Sequence, residues 1–540
     1  MRTARFIGSW AAGLIALTLA VSLFVQWLQF ALAAGGGGAT PLLLWMAFGV
    51  NLLVWSLVGA VRLGDDTVRG VAARRALRRG PRRRRPAVGA TENSGAEQRV
   101  LVRARPAEAA ADGGAAGSGP VSGASGGTGP VAGGVQDGSP DPGAALAEAD
   151  GAGGAPATAV ADPEQLAMAV IIPAHNEEPV IDGAIASALR LFNRWDIYVV
   201  SDSSRDATAD IAAETGVNVL ELLTNRGKAG AIEAVIEEFD LTGNYDGVVI
   251  LDADTELDER YVEGARRQLA DPTVAAVAGF VVAEWKPWER TMVGRLISAY
   301  RDRLYWMLQY LLRFGQTWRH TSTTFIVPGF ASAYRSSVLR RLDINPKGLV
   351  IEDFNMTFDV HHKRLGRISM RPDTKAYCQD PFTMGDYVKQ VRRWTLGFWQ
   401  TVRRHGVWPS LFWFALFFYI LEVLLVAVTL ILISLLAVFM LLPVVTGGAV
   451  LSAGWYATAY GAVGAVLPLT AIAVGLFVPD YVLTCVMATI RRRPSYLLYG
   501  LFFLPMRLVD SYLTLRTIPQ AWTASSDGRW KSPTRAAGRL

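Results

Sequence analysis

Two carboxylates stand one residue apart where an apolar run of this sequence ends. Asp252-Ala253-Asp254 directly follows Val249–Leu251, which has the composition of a buried strand. Carboxylates at such a strand end can bind a divalent cation together with phosphate oxygens, and the cation neutralises a departing diphosphate. The alternative is a solvated turn without function. The apolar strand before the turn argues against that alternative.

Three other polar clusters follow predicted strands. They contain Glu177, Asp202 and Lys228, the last at a predicted helix start. A carboxylate can accept a hydrogen bond from a pyrimidine N–H or a ribose hydroxyl, and a lysine at a helix start can reach a phosphate or base oxygen. Each cluster alone is compatible with an ordinary loop or cap, and Asp206 is as well suited to capping a helix as to touching a ligand. Four such strand ends in series favour a ligand site.

An acid pair, Glu352-Asp353, precedes the predicted helix Phe354–Lys363. Acids at a helix start are often simple caps. In a group-transfer enzyme, one of them can instead serve as the general base that takes a proton from an attacking hydroxyl. The sequence leaves both interpretations open.

Apolar residues recur at helical spacing around Gln390, Arg393 and Trp394, which indicates an amphipathic helix on a membrane surface. The apolar stripe does not explain these three side chains. Arginine can stabilise a leaving diphosphate, and tryptophan offers a flat face to a sugar ring.

The elements that must position these side chains alternate between strand and helix from Leu166 onward. This alternation predicts an α/β domain with a parallel sheet covered on both faces, and ligands in such sheets bind at the carboxyl ends of the strands. The predicted strands are Ala167–Pro173, Ile197–Ser201, Val217–Leu222 and Val248–Asp252, with helices near Ile181–Leu191, Thr208–Glu214, Ala229–Phe239 and Arg260–Leu269.

The 540-residue chain is 51% hydrophobic, which favours partial burial in lipid. Phe6–Leu32 and Pro41–Val61 are each long enough to cross a bilayer, and two retained helices fit better than a cleaved signal peptide. The arginine run up to Arg85 has no interleaved aromatic residues, so we expect no nucleic-acid partner. By the positive-inside rule, the run places the following chain in the cytoplasm. With only two cysteines we expect no disulfide scaffold, which fits a domain that works in the reducing cytoplasm.

Three apolar segments follow His405. Leu411–Leu442 is one predicted span, and Tyr456–Ile490 is another, with a kink or polar break expected at Pro479-Asp480. Ser495–Leu515 contains a proline and two charges, which favours a re-entrant or interfacial segment. The charged residues Glu422, Arg507 and Asp510 could line a polar path, pair with each other or lie at the interface.

In chain order, Asp202, Asp252-Ala253-Asp254, Glu352-Asp353 and Gln390-x-x-Arg393-Trp394 resemble the marks of a known family. This is the family of processive, membrane-integrated family 2 glycosyltransferases, which includes cellulose, chitin, hyaluronan and poly-N-acetylglucosamine synthases. The resemblance implies a GT-A-like (Rossmann-like) cytoplasmic domain inserted between transmembrane helices, and a multi-pass protein of the plasma membrane. Three motifs depart from the usual family pattern. Ser201-Asp202-Ser203-Ser204 stands where the family usually has Asp-Asp-Gly-Ser, Ile351 stands where it often has Thr, and Ala174-His175 stands where it often has Thr-Tyr. None of these departures removes a catalytic group.

The resemblance also implies roles for the residues. Asp202 would bind uracil, with Glu177 and Lys228 nearby, and Asp252 and Asp254 would hold the sugar diphosphate with a Mg or Mn ion. Asp353, beside Glu352, would be the catalytic base. The last motif, with Gln390, Arg393 and Trp394, would close over the diphosphate and the acceptor end.

The function expected from this resemblance is inverting transfer from a UDP-sugar, with UDP-N-acetylglucosamine favoured, to a growing β-linked glycan. The alternative is addition of one sugar to a lipid or polyprenyl phosphate. The expected domains are a membrane hairpin (1–64), a basic and Gly/Ala/Pro-rich disordered linker (65–165), the transferase domain (166–407), a membrane region (408–515) and a basic tail (516–540).

Overall fold

A computed structural model of the chain describes residues 49–78 and 162–526, together with isolated residues between 15 and 33. Of the predicted span Phe6–Leu32, only some residues between 15 and 29 are described, and most of the predicted linker lies outside the described residues. The second predicted span is described only from residue 49 onward, where helix α1 covers Val50–Arg78.

Seven strands form the main sheet of the 166–407 region, and the sequence analysis predicted four of them. The seven are β1 (Met168–Ala174), β2 (Ile197–Asp202), β3 (Asn218–Leu222), β4 (Gly247–Leu251), β6 (Val274–Ala278), β8 (Ala331–Arg335) and β9 (Arg367–Ser369). Their order across the sheet is β3-β2-β1-β4-β8-β6-β9.

The sheet is mixed, whereas the alternation of elements predicted a parallel one. Strands β1 to β4 pair in parallel as predicted, but β8 runs antiparallel to both β4 and β6. The chain leaves β6 at the carboxyl edge of the sheet and re-enters as β8 from the same edge. A β8 parallel to β6 would need a crossover that carries the chain back to the opposite edge. The chain makes no such crossover here, so β8 is antiparallel to β6.

A second, three-stranded sheet lies beyond the Asp-x-Asp turn. It consists of β5 (Thr255–Leu257), β10 (Lys375–Cys378) and β7 (Phe280–Ala283), in that order. Cys378 is paired with Thr255 across the antiparallel β5–β10 ladder. The chain that follows β10 therefore passes beside the turn that carries Asp252 and Asp254.

Helices cover both faces of the main sheet, as predicted. Side chains of β1 alternate between the faces, as strand geometry requires. Ile172 packs with Ile181 of one covering helix, and Ile171 packs with Ile232 of another. The described helices of this region are α2 (Ile181–Leu189), α3 (Thr208–Glu214), α4 (Gly227–Glu238), α5 (Leu241–Asn244), α6 (Tyr261–Leu269), α7 (Met292–Met307), α8 (Phe314–Gln316), α9 (Ser336–Leu339) and α10 (Glu352–His362), with a π-helical turn at Leu308–Arg313 between α7 and α8.

A series of helices follows the strands of the α/β domain. They are α11 (Met384–His405), α12 (Leu411–Val445), α13 (Gly454–Val466), α14 (Leu469–Arg491), α15 (Ser495–Tyr499) and α16 (Phe503–Thr523). Within the described residues, α12 and α14 are long and apolar enough to cross a membrane, with mean hydropathies of 3.1 and 1.9.

Of the kink or polar break expected at Pro479-Asp480, the break does not occur, because helix α14 continues through Pro479. The interruption lies at Leu467-Pro468, between α13 and α14. Proline fixes its own φ and disfavours helical geometry in the residue before it, so a helix readily starts just after Pro468. The segment predicted to end near Leu515 also continues, because α16 runs to Thr523.

The charged residues within the apolar helices have partners. Glu422 accepts hydrogen bonds from the backbone N–H and the side chain of Asn51, at 2.7 and 2.8 Å. Asp510 accepts from the hydroxyls of Tyr300 and Tyr387. Arg507 pairs with Asp480. The hydrogen bonds and ion pairs of these charges are therefore made with other residues and not with each other.

Candidate active site

One lysine joins residues from three separate elements of the α/β domain. The Nζ atom of Lys228 lies 2.6 Å from Oδ1 of Asp252 and 3.0 Å from Oε1 of Glu352. It also donates a hydrogen bond to the carbonyl of Gly329 at 3.0 Å. We call Lys228, Asp252, Glu352 and the adjacent Asp353 the acid cluster. Motifs that are far apart in sequence meet here.

Local backbone geometry explains the convergence. Strand β4 delivers Asp252, and α4 begins at Gly227, whose φ of 76° lies in the left-handed region that favours glycine. Gly329 fits between the other members. A Cβ at this position would lie 3.1 Å from the lysine Nζ and 3.4 Å from Oε1 of Glu352. A side chain there would press on the cluster, so glycine suits this position.

Asp353 sits at the first turn of α10, where its carboxylate accepts from the backbone N–H groups of Phe354 at 2.7 Å and of Gly329 at 3.3 Å. Burial raises the pKa of Asp353 to about 7, and the negative charge of Glu352 adds to the rise. These N–H bonds and the charge of Lys228 oppose that shift. A carboxylate with such a pKa can take up and release a proton near neutral pH.

The neighbouring acids respond differently. Burial raises the pKa of Asp252, although Lys228 pulls it down. Burial alone would raise the pKa of Glu352. The positive charge of Lys228 and the hydrogen bonds to the carboxylate together outweigh burial, so the pKa of Glu352 is lowered. The cluster therefore keeps Glu352 ionised.

Asp202, the predicted uracil ligand, is fully buried at the end of β2. Its two oxygens accept from the backbone N–H groups of Arg226 at 2.7 Å and Gly227 at 2.8 Å. The carboxylate thus fastens the start of α4, the helix that presents Lys228. A nucleobase that bonds to Asp202 would have to share or replace one of these contacts.

Glu177 lies in the neighbouring loop after β1 and is also buried. Its backbone N–H donates to the hydroxyl of Thr208, at the start of α3, at 2.9 Å. The preceding residue, Asn176, has a φ of 52° and accepts at its side-chain oxygen from the backbone N–H of Arg205. These contacts join the loops that end β1 and β2.

Helix α11 carries Gln390, Arg393 and Trp394 and packs directly on the start of α10. A Cβ at Gly397 would lie 2.9 Å from Cβ of Ile351, the residue before Glu352, so only glycine allows this close approach. Arg393 is exposed and its charge helps to lower the pKa of Glu352. Gln390 keeps a buried Oε1 without a hydrogen-bond partner among the described residues.

Two residues near this helix were not identified from the sequence. The guanidinium carbon of Arg301 lies 4.6 Å from the centre of the Trp394 ring, and Arg301 forms an ion pair with Asp380. Arg301 stands in the charged run Arg301-Asp302-Arg303, and neither this run nor the segment around Asp380 matches a motif. The only available signal was that Asp380 follows a short strand, and that signal is weak.

The chemistry of the Asp252 and Asp254 side chains fits Mg²⁺ or Mn²⁺, both of which prefer oxygen ligands. No group of three or more His, Cys, Asp or Glu residues suited to a metal occurs in the described part of the chain. Two carboxylates would leave the other coordination positions to phosphate oxygens and water, which is the usual arrangement for Mg²⁺. A cation beside Asp252 would have to share that carboxylate with Lys228.

The fold and the site define an α/β domain with the acid cluster beside the carboxyl end of β4, joined to apolar helices. Residues 169–342 match the family described as "Glycosyl transferase family 2". This match, together with the mixed sheet, supports a GT-A-like glycosyltransferase domain.

Curated relatives give the same class. The chain is 28% identical over 244 residues to "Probable glycosyltransferase YdaM" of Bacillus subtilis, covering 43% of this chain and 54% of the relative. It is 25% identical over 236 residues to "Poly-beta-1,6-N-acetyl-D-glucosamine synthase" of Staphylococcus aureus, covering 42% and 53%. The matched region thus spans about half the length of these relatives.

Among solved structures, the chain is similar to the mannosyltransferase PcManGT from Pyrobaculum calidifontis in complex with GDP-Man and Mn²⁺. The TM-score is 0.39 and the identity is 22%, with 58% of this chain and 88% of that chain covered.

Proposed function

We propose that this protein is a membrane-integrated glycosyltransferase that transfers a sugar from a UDP-sugar to the end of a β-linked glycan at the cytoplasmic membrane face. The observation that carries the proposal is the acid cluster, in which Lys228 joins Asp252 to Glu352. It brings the proposed diphosphate site and the proposed base to one place. The relative named poly-β-1,6-N-acetyl-D-glucosamine synthase makes UDP-N-acetylglucosamine the first donor to test.

In the proposed reaction, a hydroxyl of the acceptor attacks the anomeric carbon while the bond to the diphosphate breaks. Asp353 takes the hydroxyl proton, and its pKa of about 7 suits that task. A single in-line displacement inverts the anomeric carbon and gives a β-linkage from an α-linked donor. Gln390, Arg393 and Trp394 are proposed to cover the diphosphate and the acceptor end.

Asp252 and Asp254 are proposed to hold a Mg or Mn ion, which supplies positive charge to the leaving diphosphate when bound. Lys228 holds Asp252 and Glu352 in position. Glu352 remains ionised and, through its own charge, keeps the pKa of Asp353 high. Asp202 and Glu177 shape the proposed nucleobase pocket between the loops after β1 and β2.

The apolar helices α12 and α14 support the proposed membrane location by their length and composition. A bilayer beside the active site would keep a glycan or lipid acceptor close to α11, which joins the α/β domain to α12. Processive extension is proposed because all four motif groups of the resemblance are present. Addition of one sugar to a lipid is the competing outcome.

The test uses full-length protein in native membranes or detergent and a panel of UDP- and GDP-sugars, with Mn²⁺, with Mg²⁺ or with EDTA. We expect UDP release from UDP-N-acetylglucosamine that depends on the metal ion, with a long glycan as the product. A singly glycosylated lipid would replace the processive part of the proposal. If no nucleotide-sugar is turned over under any condition, the proposed function is wrong.

A further inference from the structure

Helix α7 carries four consecutive residues that are buried and make polar or charged contacts with other elements. Tyr300 donates to Asp510, Asp302 accepts from Arg491, and Arg303 is bound to Asp480. These three side chains contact α14 and α16. The fourth, Arg301, faces α11 instead.

Arg301 is 2% exposed and lies against aromatic rings. Its guanidinium carbon is 4.6 Å from the centre of the Trp394 ring and 5.2 Å from the centre of the Tyr387 ring, both on α11. Its Nη1 atom donates to the hydroxyl of Tyr305 at 3.0 Å. A planar guanidinium at this distance from an indole forms a favourable cation–π contact, which gains strength when water is excluded.

The partner of Arg301 is the carboxylate of Asp380, whose side chain is completely buried. The separation of Nη1 from Oδ1 is 3.7 Å, which is an ion pair without a hydrogen bond. Neither oxygen of Asp380, nor Nη2 of Arg301, has a hydrogen-bond partner among the described residues. A buried pair with so many unused polar atoms contributes little to stability, and apolar residues of similar size would serve better.

The location of the Arg301–Asp380 ion pair indicates a role other than stability. Asp380 lies two residues after Cys378, which pairs with Thr255 next to the Asp-x-Asp turn. The charges of Asp380 and Arg301, and also those of Asp252 and Asp254, act on the thiol of Cys378. The pair is therefore near that turn, and Arg301 also contacts the ring of Trp394. The ion pair can hold the Trp394 ring in a defined orientation relative to the proposed diphosphate site. A purely apolar contact would restrict the orientation of the ring less.

We propose that Arg301, anchored by Asp380, is a positioning residue that holds the Trp394 ring in the orientation needed for the acceptor sugar. The inference rests on the proposed function for its kinetic consequence, because the acceptor role of Trp394 is part of that proposal. The structural consequence, an oriented ring, does not depend on activity.

The test labels the full-length protein in lipid nanodiscs with 5-fluorotryptophan and records its ¹⁹F NMR spectrum. Trp394→Phe assigns the line of interest among the 16 tryptophans of the chain. Arg301→Lys keeps the charge but removes the planar face. Arg303→Lys is the matched control, since it makes the same change two residues away on the same helix, at a side chain that contacts Asp480.

We expect Arg301→Lys and the isosteric Asp380→Asn to move or broaden the Trp394 line, and Arg303→Lys to leave it in place. An unchanged line in Arg301→Lys, or an equal change in Arg303→Lys, overturns the proposal. If Arg301→Lys does not fold, Asp380→Asn decides by the same criterion.

The kinetic measurement uses the same variants with the active donor. Arg301→Lys should lower kcat by about 3- to 30-fold, the range expected for a cation–π contact, while KM for the nucleotide-sugar stays nearly constant. An equal loss in Arg303→Lys would indicate a general structural effect. If the parent protein turns over no nucleotide-sugar, the proposed function fails, and the NMR result still decides the positioning claim.

Discussion

Two charge clusters of the described residues differ in the balance between acids and bases. In the partly buried acid cluster, Lys228 forms ion pairs with Asp252 and Glu352, and no other cation among the described residues lies within 4 Å of these two carboxylates. The charges of Asp254 and Asp353 also act on these acids. In the second, here called the helix cluster, Arg303 and Arg507 together bind the single carboxylate of Asp480. Each oxygen of Asp480 accepts from a guanidinium, at 2.9 to 3.1 Å.

The different charge balance of the two clusters corresponds to two different uses of charged side chains. A satisfied cluster fixes one helix against another, and breaking it leaves an uncompensated charge. A cluster short of positive charge keeps one acid with a raised pKa and can attract a cation and a diphosphate. On this basis, the acid cluster is suited to chemistry, whereas the helix cluster is suited to holding the α/β domain on α14.

The largest effect is expected at the acid cluster. Asp353→Asn removes the proposed base and should lower kcat by about 100- to 10,000-fold. Sugar transfer from the active donor measures this. Asp359→Asn, a buried acid on the same helix that pairs with Lys363, is the control and should retain activity.

Asp353→Asn should be at least as stable as the parent protein. The folded pKa of Asp353 is raised to about 7, so the native state holds its proton more tightly and loses stability as pH rises toward 7. Asparagine carries no charge, so the variant should melt at a higher temperature than the parent at pH 8. Lost activity together with a lower melting temperature would point to misfolding.

The opposite pattern is expected for the helix cluster. Asp480→Asn leaves Arg303 and Arg507 without their buried counter-charge and should cost about 3–5 kcal/mol in the free energy of unfolding. Activity per folded molecule should remain close to that of the parent at low temperature. Denaturation in detergent, followed by near-UV circular dichroism, measures the loss. An inactive but equally stable variant would contradict the division of roles.

The pH dependence provides a smaller effect. The proposed base works only when it is deprotonated, so kcat/KM should fall about tenfold per pH unit below the pKa of Asp353 and level off above it. The midpoint is expected near pH 7. An activity that rises as the pH is lowered from 7 to 5 would exclude Asp353 as the base.

The smallest effect is expected at Gly329. Its added Cβ in Gly329→Ala would lie 3.1 Å from Nζ of Lys228, so the lysine must move by a few tenths of an ångström. Because catalysis is sensitive to misplacements of this kind, kcat should fall by about 3- to 10-fold. Gly348→Ala would be a poor control, because its φ of 85° causes strain of its own. Gly385→Ala, where the nearest atom is 3.8 Å away, is better matched.

The sequence predicted the strands β1 to β4 and the helices between them because alternating apolar runs and polar strand ends are local signals. Two of the acids that it singled out, Asp252 and Glu352, lie together at Lys228 in the structure, and their roles stay predictions. It did not predict the antiparallel β8, whose direction depends on where a distant segment re-enters the sheet. The contact between Lys228 and Glu352 depends on the same long-range return of the chain.

Three further features of the structure could not be predicted from the sequence. The start of α14 after Pro468 was missed because the apolar run continues on both sides, whereas Pro479 is accommodated inside the helix. Asp202 was interpreted as a ligand-facing acid, and the structure shows its oxygens on backbone N–H groups, which no pattern of side chains reveals. Arg301 meets Trp394 only in three dimensions.

A structure of the full-length protein with Mn²⁺ and UDP, using the anomalous signal of manganese, tests the central claim most directly. The account predicts one manganese ion bound by Asp252 or Asp254 and by the diphosphate, with Asp353 lining the same pocket. Manganese and UDP bound at a different site, away from Lys228 and Glu352, would contradict it.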